Sequence, residues 1–461
     1  MTYFKYKADR RPLLSAAEDE EDFKRLDDDD HEHDNSEVEL VSVSAAAAKQ
    51  RHQIHRGARK LTRFVMVSFA FLSFFLLIYI AICNSVINRR VALPGWGYNT
   101  SRNTADYVLP DEDTDLIKPQ HICENKFFLL IVVCSALNNF EARQNIRETW
   151  GNASEFNYSM FGTMHADMSG HYLDKKTESF NRYKEYFNET SNYGNPVRVV
   201  FLIGRSESEQ HLGNESKVRL KQEADQYDDL IQENFIDTYN NLTVKSVMML
   251  KWVNKHCSDK SKFLMKCDDD TFVNVPNLLH YLLGGTIPIY NATVQYHDVV
   301  SYKVMSPVNR LHLLQNFLIG YMFCFVKPVA NISSKWYAPF YMYPGDTYPK
   351  YLSGASYLMS SDVIGRLYDA ALNTSLFHLE DVYITGICAE HINLPRHHNS
   401  LFCFDHSKNV CSFKGTITQH YVKGDSMREA YAFVMNTTNK CPPPDKYFKT
   451  NRLRKRAKNC N

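Results

Sequence analysis

The apolar residues of the chain are most concentrated in one stretch near the N-terminus. Residues 64–83 are twenty consecutive positions without a charged side chain. At about 1.5 Å rise per residue, a helix of this length spans about 30 Å, the thickness of the hydrocarbon core of a bilayer. A cleaved signal peptide would lie at the extreme N-terminus and have a shorter apolar region. The pattern therefore predicts one transmembrane helix.

Charge and glycosylation signals predict the orientation of this helix. Six basic residues precede it closely, whereas three follow within about twenty residues. The positive-inside bias then leaves the N-terminus in the cytosol. All ten Asn-x-Ser/Thr sequons and ten of the eleven cysteines follow the helix, as expected for a lumenal, oxidising compartment. The sequence predicts a type II, signal-anchored membrane protein.

Polar composition divides the rest of the chain. Residues 1–63 hold a long acidic run and are predicted to be a disordered cytoplasmic tail. Residues 84–122 contain several prolines without helical or alternating periodicity, which predicts a lumenal stem. Residues 123–445 are expected to form the folded lumenal domain. Residues 446–461 are expected to be a solvated basic C-terminal tail.

Inside the folded domain, apolar runs alternate with helical periodicity. Continuous apolar runs are typical of strands that are covered on both faces, and they occur at residues 127–134, 199–203 and 262–266. Helical spacing separates them at residues 215–227 and 243–256. Alternation of strand and helix predicts an α/β fold with a largely parallel sheet.

Overall composition narrows the class of partner. The chain has 461 residues, of which 44% are hydrophobic, with 53 basic and 52 acidic side chains. This content excludes wholesale disorder, and the even charge excludes a globally basic protein that binds nucleic acid. We therefore expect no nucleic-acid partner.

Two carboxylate groups are candidates for chemistry. Asp268, Asp269 and Asp270 directly follow the third apolar run. Ligands of parallel sheets bind at the carboxyl ends of strands, so this cluster predicts a site for a metal ion and a nucleotide. Glu380 and Asp381 open an apolar helical segment. From spacing alone this pair is either a helix N-terminal cap or a catalytic base.

Ordered motifs identify a family that the chain resembles. They are Arg143-Gln-Asn-Ile-Arg147-Glu-Thr-Trp-Gly151, Glu223-x3-Tyr227-x-Asp229, Asp237-x-Tyr239-x-Asn-Leu-Thr243-x-Lys245, Trp252-x4-Cys257, Lys266-x-Asp-Asp-Asp270, Tyr348-Pro-x-Tyr351-x-Ser-Gly354-x-x-Tyr357 and Glu380-Asp381-Val382. In this order they resemble glycosyltransferase family 31, the Golgi β-1,3-galactosyl- and N-acetylglucosaminyltransferases. The resemblance covers residues 126–441.

The resemblance implies a fold, a reaction and a location. The fold is the GT-A type, in which a Rossmann-like nucleotide-sugar half adjoins an acceptor half, here within residues 123–445. The reaction is inverting, metal-dependent transfer of a hexose from a UDP-sugar donor to the 3-hydroxyl of a glycan acceptor, which forms a β-1,3 linkage on a glycoprotein or glycolipid. The location is the Golgi membrane.

The resemblance also implies residue roles. Asp270 and His420 are expected to bind Mn²⁺, with Asp268 as a further ligand or a contact to UDP. Asp381 is expected to be the base, and Glu380 to hydrogen-bond a sugar. The remaining residues expected on the nucleotide and donor side are Asp269, Arg143, Arg147, Tyr351 and Gly354. Structural ion pairs are an equal alternative for the two arginines.

Cysteines and one unusual segment complete the expectations. Family-like positions imply that Cys257, Cys388, Cys411 and Cys441 take part in disulfides, with pairings that spacing does not reveal. Cys83 and Cys134 are candidates for free thiols. Residues 157–196 form a long polar insertion, expected to be a surface loop.

Three functional hypotheses stay open at this point. Residues 335–339 and 348–357 resemble the galactosyl branch of the family more closely, which implies a galactosyltransferase that uses UDP-galactose. A β-1,3-N-acetylglucosaminyltransferase would use the same residues with UDP-GlcNAc. A catalytically silent glycan-binding relative is the alternative from another class, and the intact acidic residues argue against it. Whether the chain forms a homodimer is also left open.

Overall fold

The computed structural model describes residues 37–152, 159–165, 196–206, 214–297, 315–405, 407–444 and 460. Its compact units are Met1–Ala81 and Ile82–Asn461. The N-terminal unit contains most of a helix that runs from Glu37 to Asn88, and Arg56–Ile82 is long and apolar enough to cross a membrane. This helix fits the predicted anchor. Residues 37–63 are helical rather than disordered, since the alanine-rich run at 45–48 favours helix.

Helices and strands alternate along the described part of the chain. The helices are α1 Glu37–Asn88, α2 Ala105–Val108, α3 Phe140–Arg147, α4 Ser159–Met164, α5 Asn214–Tyr227, α6 Leu242–Cys257, α7 Val275–Leu282, α8 Ile364–Leu372, α9 Ala389–His391, α10 Cys411–Lys414 and α11 Asp425–Met435. The strands are β1 Asp115–Ile117, β2 Phe127–Cys134, β3 Val197–Arg205, β4 Leu230–Ile236, β5 Ser261–Asp268, β6 Phe272–Val273, β7 Leu318–Phe323, β8 Tyr351–Ser360, β9 Arg396–His398, β10 Phe402–Cys403 and β11 Thr418–Gln419. A π-helix covers Val382–Cys388, and 3₁₀ helices cover Tyr239–Asn241, Asn291–Thr293 and Ser361–Val363.

One large sheet organises the unit. Its order is β1-β4-β3-β2-β5-β8-β7-β9, and β4, β3, β2 and β5 are mutually parallel. Separate apolar clusters cover its two faces, one with α6 and α8 and the other with α7 and α11. The predicted α/β class is confirmed, and the predicted strands and helices between residues 127 and 266 are present.

The strand order creates a switch point at the centre of the sheet. From β2 the chain adds β3 and β4 on one side, and it then returns to the other side of β2 with β5. The loops after β2 and β5 therefore leave the same edge and separate there. Crevices at such points are where α/β sheets bind ligands. Cys134 and Asp268 are direct neighbours at these two strand ends.

The segment predicted to be a stem differs from the prediction. Within residues 84–122, α2 is formed, and β1 pairs antiparallel with β4 as an edge strand. Trp96 is 2% exposed, and its indole N–H donates to the Asn240 carbonyl at 2.9 Å. These contacts are scattered singly along an irregular segment, so no periodic pattern signals them. Much of the segment is thus part of the folded unit.

The disulfides correct the expectation for one cysteine. The bonds are Cys123–Cys257, Cys324–Cys460 and Cys411–Cys441. Cys388 was expected in a disulfide, which is wrong, because it is a buried thiol in the π-helix among apolar core residues. Cys134 is a buried free thiol, as predicted. The bond to Cys460 ties down the end of the chain, whereas residues 445–459 and most of the 157–196 insertion lie outside the described residues.

Candidate functional site

The acidic turn after β5 lies at the switch point. β5 ends at Asp268, and the chain turns through Asp269 and Asp270 before β6 begins at Phe272. The Asp269 amide N–H donates to the Cys134 carbonyl at 3.2 Å, which joins the turn to the end of β2. The carboxylates of this turn are therefore held where α/β sheets bind ligands.

Two of the three aspartates converge with a histidine. Asp268, Asp270 and His420 offer ligand atoms that all lie within 4.8 Å of one another. His420 Nε2 is 3.0 Å from Asp270 Oδ1 and 3.8 Å from Asp268 Oδ2. His420 comes from the loop after β11, which pairs antiparallel with β6. The small sheet thus brings together residues that are 150 positions apart in the sequence.

The orientation of His420 suits a metal ligand. Its Nδ1 lies 3.1 Å from the Phe404 carbonyl, which can accept a hydrogen bond but not donate one. Nδ1 therefore carries a hydrogen, and Nε2 faces the two carboxylates. A lone pair on Nε2 would repel Asp270 unless a proton or a cation lay between them. Histidine ligands are commonly oriented in this way by a carbonyl on the other nitrogen, so the donor set fits a divalent cation.

Charges at the cluster act on Asp270. Burial alone would raise the pKa of Asp270, but the hydrogen bond and charge of His420 and the ammonium of Lys423 hold that pKa below its usual value. Lys423 Nζ is 3.3 Å from Asp270 Oδ2 and is itself exposed. Asp270 is therefore ionised at neutral pH, as a cation ligand must be.

The middle aspartate points elsewhere. Asp269 Oδ2 accepts hydrogen bonds from Ser135 Oγ and Asn139 Nδ2, each at 2.7 Å. Burial raises the pKa of Asp269, and these two donors offset part of that effect. Asp269 therefore connects the acidic turn to the loop after β2 across the switch point.

Lys266 connects the acidic turn to the second carboxylate pair. Its Nζ donates to Asp268 Oδ1 and to the Gly354 carbonyl, both at 2.6 Å, and lies 3.6 Å from Glu380 Oε2. Burial would lower the pKa of Lys266, but the charges of Asp268 and Glu380 raise it well above its usual value. Sequence reasoning assigned Lys266 no role. The available signal was a lysine inside a run predicted to be buried, which requires a charge partner.

The second carboxylate pair leads into the π-helix. Glu380 is 7% exposed, and its Oε1 accepts a hydrogen bond from Tyr357 at 2.6 Å. Asp381 keeps part of its surface open, and its two oxygens accept from the Val382 amide at 2.9 Å and the Gly354 amide at 3.3 Å. Burial, followed by the charge of Glu380, raises the pKa of Asp381 to about 7. Asp381 therefore caps the helix and is also tuned to exchange a proton near neutral pH.

Gly354 and Tyr351 lie against this pair. A Cβ on Gly354 would be 3.2 Å from Glu380 Oε2 and 3.3 Å from the Cβ of Asp381. A side chain larger than that of glycine would therefore push the acidic pair away by a few tenths of an ångström. Tyr351 is 8% exposed and packs on Phe323 with ring centroids 5.4 Å apart. Burial raises the pKa of its hydroxyl, and the charge of Asp381 adds to that effect.

The two arginines expected at the nucleotide side form ion pairs within the protein. Arg143 is fully buried, and all five of its N–H donors have protein acceptors: both oxygens of Glu223, Ser135 Oγ and two carbonyls of the loop after β2. Arg147 donates twice to Asp229 at 2.8 Å and lies over the ring of Tyr227. Because each N–H donor of Arg143 has a protein acceptor, its contacts favour the structural alternative, and the nucleotide contact stays a prediction.

Known proteins resemble the chain over this region. The family model described as Galactosyltransferase matches residues 141–309 and 297–400. Beta-1,3-galactosyltransferase 1 of Homo sapiens is 30% identical over 320 residues, or 68% of this chain and 77% of that protein. Lactosylceramide 1,3-N-acetyl-beta-D-glucosaminyltransferase A is 32% identical over 331 residues in Xenopus laevis, covering 68% of this chain and 71% of that protein. In Danio rerio it is 31% identical over 316 residues, or 67% of each chain. The matched segments contain both carboxylate groups, and His420 follows them.

Proposed function

The chain belongs to the galactosyltransferase family and is a β-1,3-glycosyltransferase, and on this premise we propose that it transfers galactose from UDP-galactose to the 3-hydroxyl of an acceptor glycan. The observation that carries the proposal is the position of Lys266, which joins Asp268 of the candidate cation-binding group to Glu380, the residue before the carboxylate Asp381 whose pKa is raised to about 7. Displacement at a sugar requires charge compensation for the departing UDP and a base for the hydroxyl proton. The two linked groups are suited to these two tasks.

The metal side of the proposal involves five residues. Asp270, His420 and Asp268 would hold Mn²⁺, because this ion accepts mixed carboxylate, imidazole and phosphate ligands. When bound there, the ion would supply positive charge to the diphosphate of the donor. Lys423 places a second positive charge at the same edge. Asp269 positions the turn by holding Ser135 and Asn139, so its contribution to nucleotide binding is indirect.

The acceptor side of the proposal depends on Asp381. This carboxylate takes the proton of the acceptor 3-hydroxyl while that oxygen attacks the anomeric carbon from the face opposite UDP. The attack converts an α-linked donor into a β-linked product. A pKa near 7 suits a general base at neutral pH. Glu380 is buried between Tyr357 and Lys266, which supports a role in positioning Asp381 beside any contact to sugar.

The donor is the least determined part of the proposal. Both galactosyl- and N-acetylglucosaminyltransferases align with the chain at similar identity, so UDP-GlcNAc is the second candidate. Purified full-length protein should be incubated with an acceptor panel and with UDP-Gal, UDP-GlcNAc or UDP-GalNAc. We expect turnover with UDP-Gal. Turnover with UDP-GlcNAc alone would show that UDP-GlcNAc, and not UDP-galactose, is the donor. Binding of a UDP-sugar without transfer to any acceptor would favour the catalytically silent glycan-binding alternative.

The proposed location follows from the anchor. A single apolar helix, with basic residues before it and all sequons after it, supports a type II protein of the Golgi membrane with a lumenal catalytic unit. The acceptor glycan would then be carried by a glycoprotein or a glycolipid of the secretory pathway.

A further inference from the structure

Trp336 is exposed in a way that the core does not explain. The chain has 4 tryptophans; Trp96, Trp150 and Trp252 are 2%, 5% and 4% exposed, whereas Trp336 is 51% exposed. Tyr239, which is 44% exposed, hydrogen-bonds with the Trp336 side chain. Large aromatic groups exposed together on a folded protein indicate a binding surface. We call Tyr239, Lys335 and Trp336 the aromatic shelf.

Lys335 gives the aromatic shelf a charged donor. Its Nζ lies 4.9 Å from the Trp336 ring centroid and 5.7 Å from that of Tyr239, both within cation–π range. The shelf therefore combines two aromatic rings with an ammonium group and a phenolic hydroxyl. This combination offers an apolar face and polar groups beside it.

Backbone anchors hold the shelf in place. Tyr239 begins a 3₁₀ helix whose last residue, Asn241, donates through Nδ2 to the Ile236 carbonyl at 2.8 Å. On the other side, Tyr337 is 3% exposed, and the following Ala338 amide donates to the Val329 carbonyl at 2.9 Å. Trp336 and Tyr239 are thus mounted on fixed backbone, which limits the ordering cost of binding.

The shelf adjoins the candidate site. Thr243 Oγ1, four residues after Tyr239, donates at 2.7 Å to the carbonyl of Phe377, three residues before Glu380. Burial raises the pKa of the Tyr239 hydroxyl, and the negative charges of Asp381 and Asp268 add to that effect. Tyr239 is therefore close enough to both carboxylate groups to be affected by their charge. The proposed metal and base functions do not use the shelf.

We propose that the aromatic shelf is the subsite for a pyranose ring of the acceptor glycan. A pyranose has an apolar face of C–H groups and a rim of hydroxyls. The apolar face packs on Trp336 and Tyr239, and the hydroxyls bind the ammonium of Lys335. This inference rests on the proposed function, since it names where the acceptor of that reaction binds.

Tryptophan fluorescence tests the shelf without any turnover. Three tryptophans are buried, so emission at the red edge reports mainly on Trp336. Full-length protein in detergent should be titrated with lactose and with methyl β-N-acetylglucosaminide. We expect a saturable change in emission for at least one of them, and its absence in Trp336→Phe. No change with either sugar in a protein that transfers sugar to that same compound would overturn the proposal.

Kinetics of matched variants give the second readout. Trp336→Ala should raise the acceptor KM roughly ten-fold or more, as expected when a central aromatic contact is removed, whereas Trp336→Phe should retain most of the affinity. Hydrolysis of the UDP-sugar in the absence of acceptor should stay at the wild-type rate. The control is Phe340→Ala, because Phe340 is also exposed but lies under the guanidinium of Arg89, and it should change nothing.

The outcomes separate this inference from the proposed function. A wild-type protein that binds sugar at Trp336 but transfers none would contradict the function and keep the subsite. A wild-type protein that transfers sugar with an unchanged KM in Trp336→Ala would contradict the subsite and keep the function. Asn331 carries an exposed sequon near Trp336. If enzymatic removal of N-glycans shifts Trp336 emission and added sugar does not, a glycan of the protein occupies the shelf and the proposal is wrong.

Discussion

Replacing Asp381 with asparagine should abolish turnover and at the same time stabilise the fold. Asparagine has nearly the same size, and its one side-chain oxygen can still accept the hydrogen bond from the Val382 amide, so the helix cap is kept while the longer bond from the Gly354 amide is lost. It cannot take a proton. If Asp381 is the base, turnover should fall by roughly 10²-fold or more. UDP affinity should stay near wild type, because Asp268, Asp270 and His420 are unchanged.

The stability gain follows from the raised pKa of Asp381. That pKa rises from the ordinary value of 3.8 to about 7, and each pKa unit corresponds to about 1.4 kcal/mol. The pKa of Asp381 is higher in the folded than in the unfolded protein. The contribution of this carboxyl group to stability is therefore fully present below pH 3.8 and is lost as the pH rises through about 7. Ionising Asp381 in the folded protein thus costs up to about 4 kcal/mol. Asparagine stays neutral and avoids this cost, so its advantage should grow between pH 4 and pH 8.

The assays are a pH series of kcat/KM and a pH series of thermal unfolding midpoints. Wild-type kcat/KM should rise with pH and level off above about pH 7, since the base must be ionised. Glu380→Gln is the matched control, and its turnover should fall less. An Asp381→Asn protein that keeps more than about a third of wild-type turnover would refute the base. Unfolding midpoints that differ equally at pH 4 and pH 8 would refute the raised pKa.

Three further predictions concern the metal group, Gly354 and the anchor. Chelator should abolish activity, and Mn²⁺ should restore it better than Mg²⁺, because the imidazole of His420 suits the softer ion. Asp270→Ala should lose the metal-dependent binding of UDP that calorimetry measures. Full activity in excess chelator would exclude a metal role for this group. Gly354→Ala places a Cβ 3.2 Å from Glu380 Oε2, so turnover should fall several-fold through a displaced Asp381 while UDP affinity is unchanged; equal turnover would show that the pair can move. Endoglycosidase should lower the apparent mass, and in intact microsomes the N-terminus should be open to protease while residues after the helix are protected; protection of the N-terminus would reverse the proposed topology.

The sequence predicts the parts of the fold that follow from local pattern. The continuous apolar run at 127–134 predicts a strand that is covered on both faces, and β2 has the same bounds. The acidic turn after residues 262–266 follows from the same pattern, since charges that directly follow a buried strand must emerge at its end. His420 was found through motif resemblance, because nothing local marks a histidine as the partner of residues 150 positions away.

Other features depend on contacts between residues that are far apart in the sequence, and no local pattern indicates these contacts. Lys266 lies opposite Tyr357 only because β8 runs antiparallel beside β5, and this pairing brings the Gly354 carbonyl to its ammonium. From the sequence, Arg143 is equally suited to bind a nucleotide or to form an ion pair. In the structure it donates to Glu223 and to carbonyls of the loop after β2. The buried side chains of residues 84–122 are spaced without a period, so the sequence predicts a stem although much of the segment packs in the folded unit.

Analysis of the linkage in the product is the direct test of β-1,3 transfer by single displacement with Asp381 as the base. Wild-type protein should be incubated with Mn²⁺, an α-linked UDP-sugar and lactose or methyl β-N-acetylglucosaminide, and the product should be analysed by NMR. We expect one new linkage, with β configuration at the transferred sugar and attachment at the 3-hydroxyl of the acceptor. A product with α configuration would contradict single displacement with Asp381 as the base. A β linkage at another hydroxyl would contradict the β-1,3 assignment.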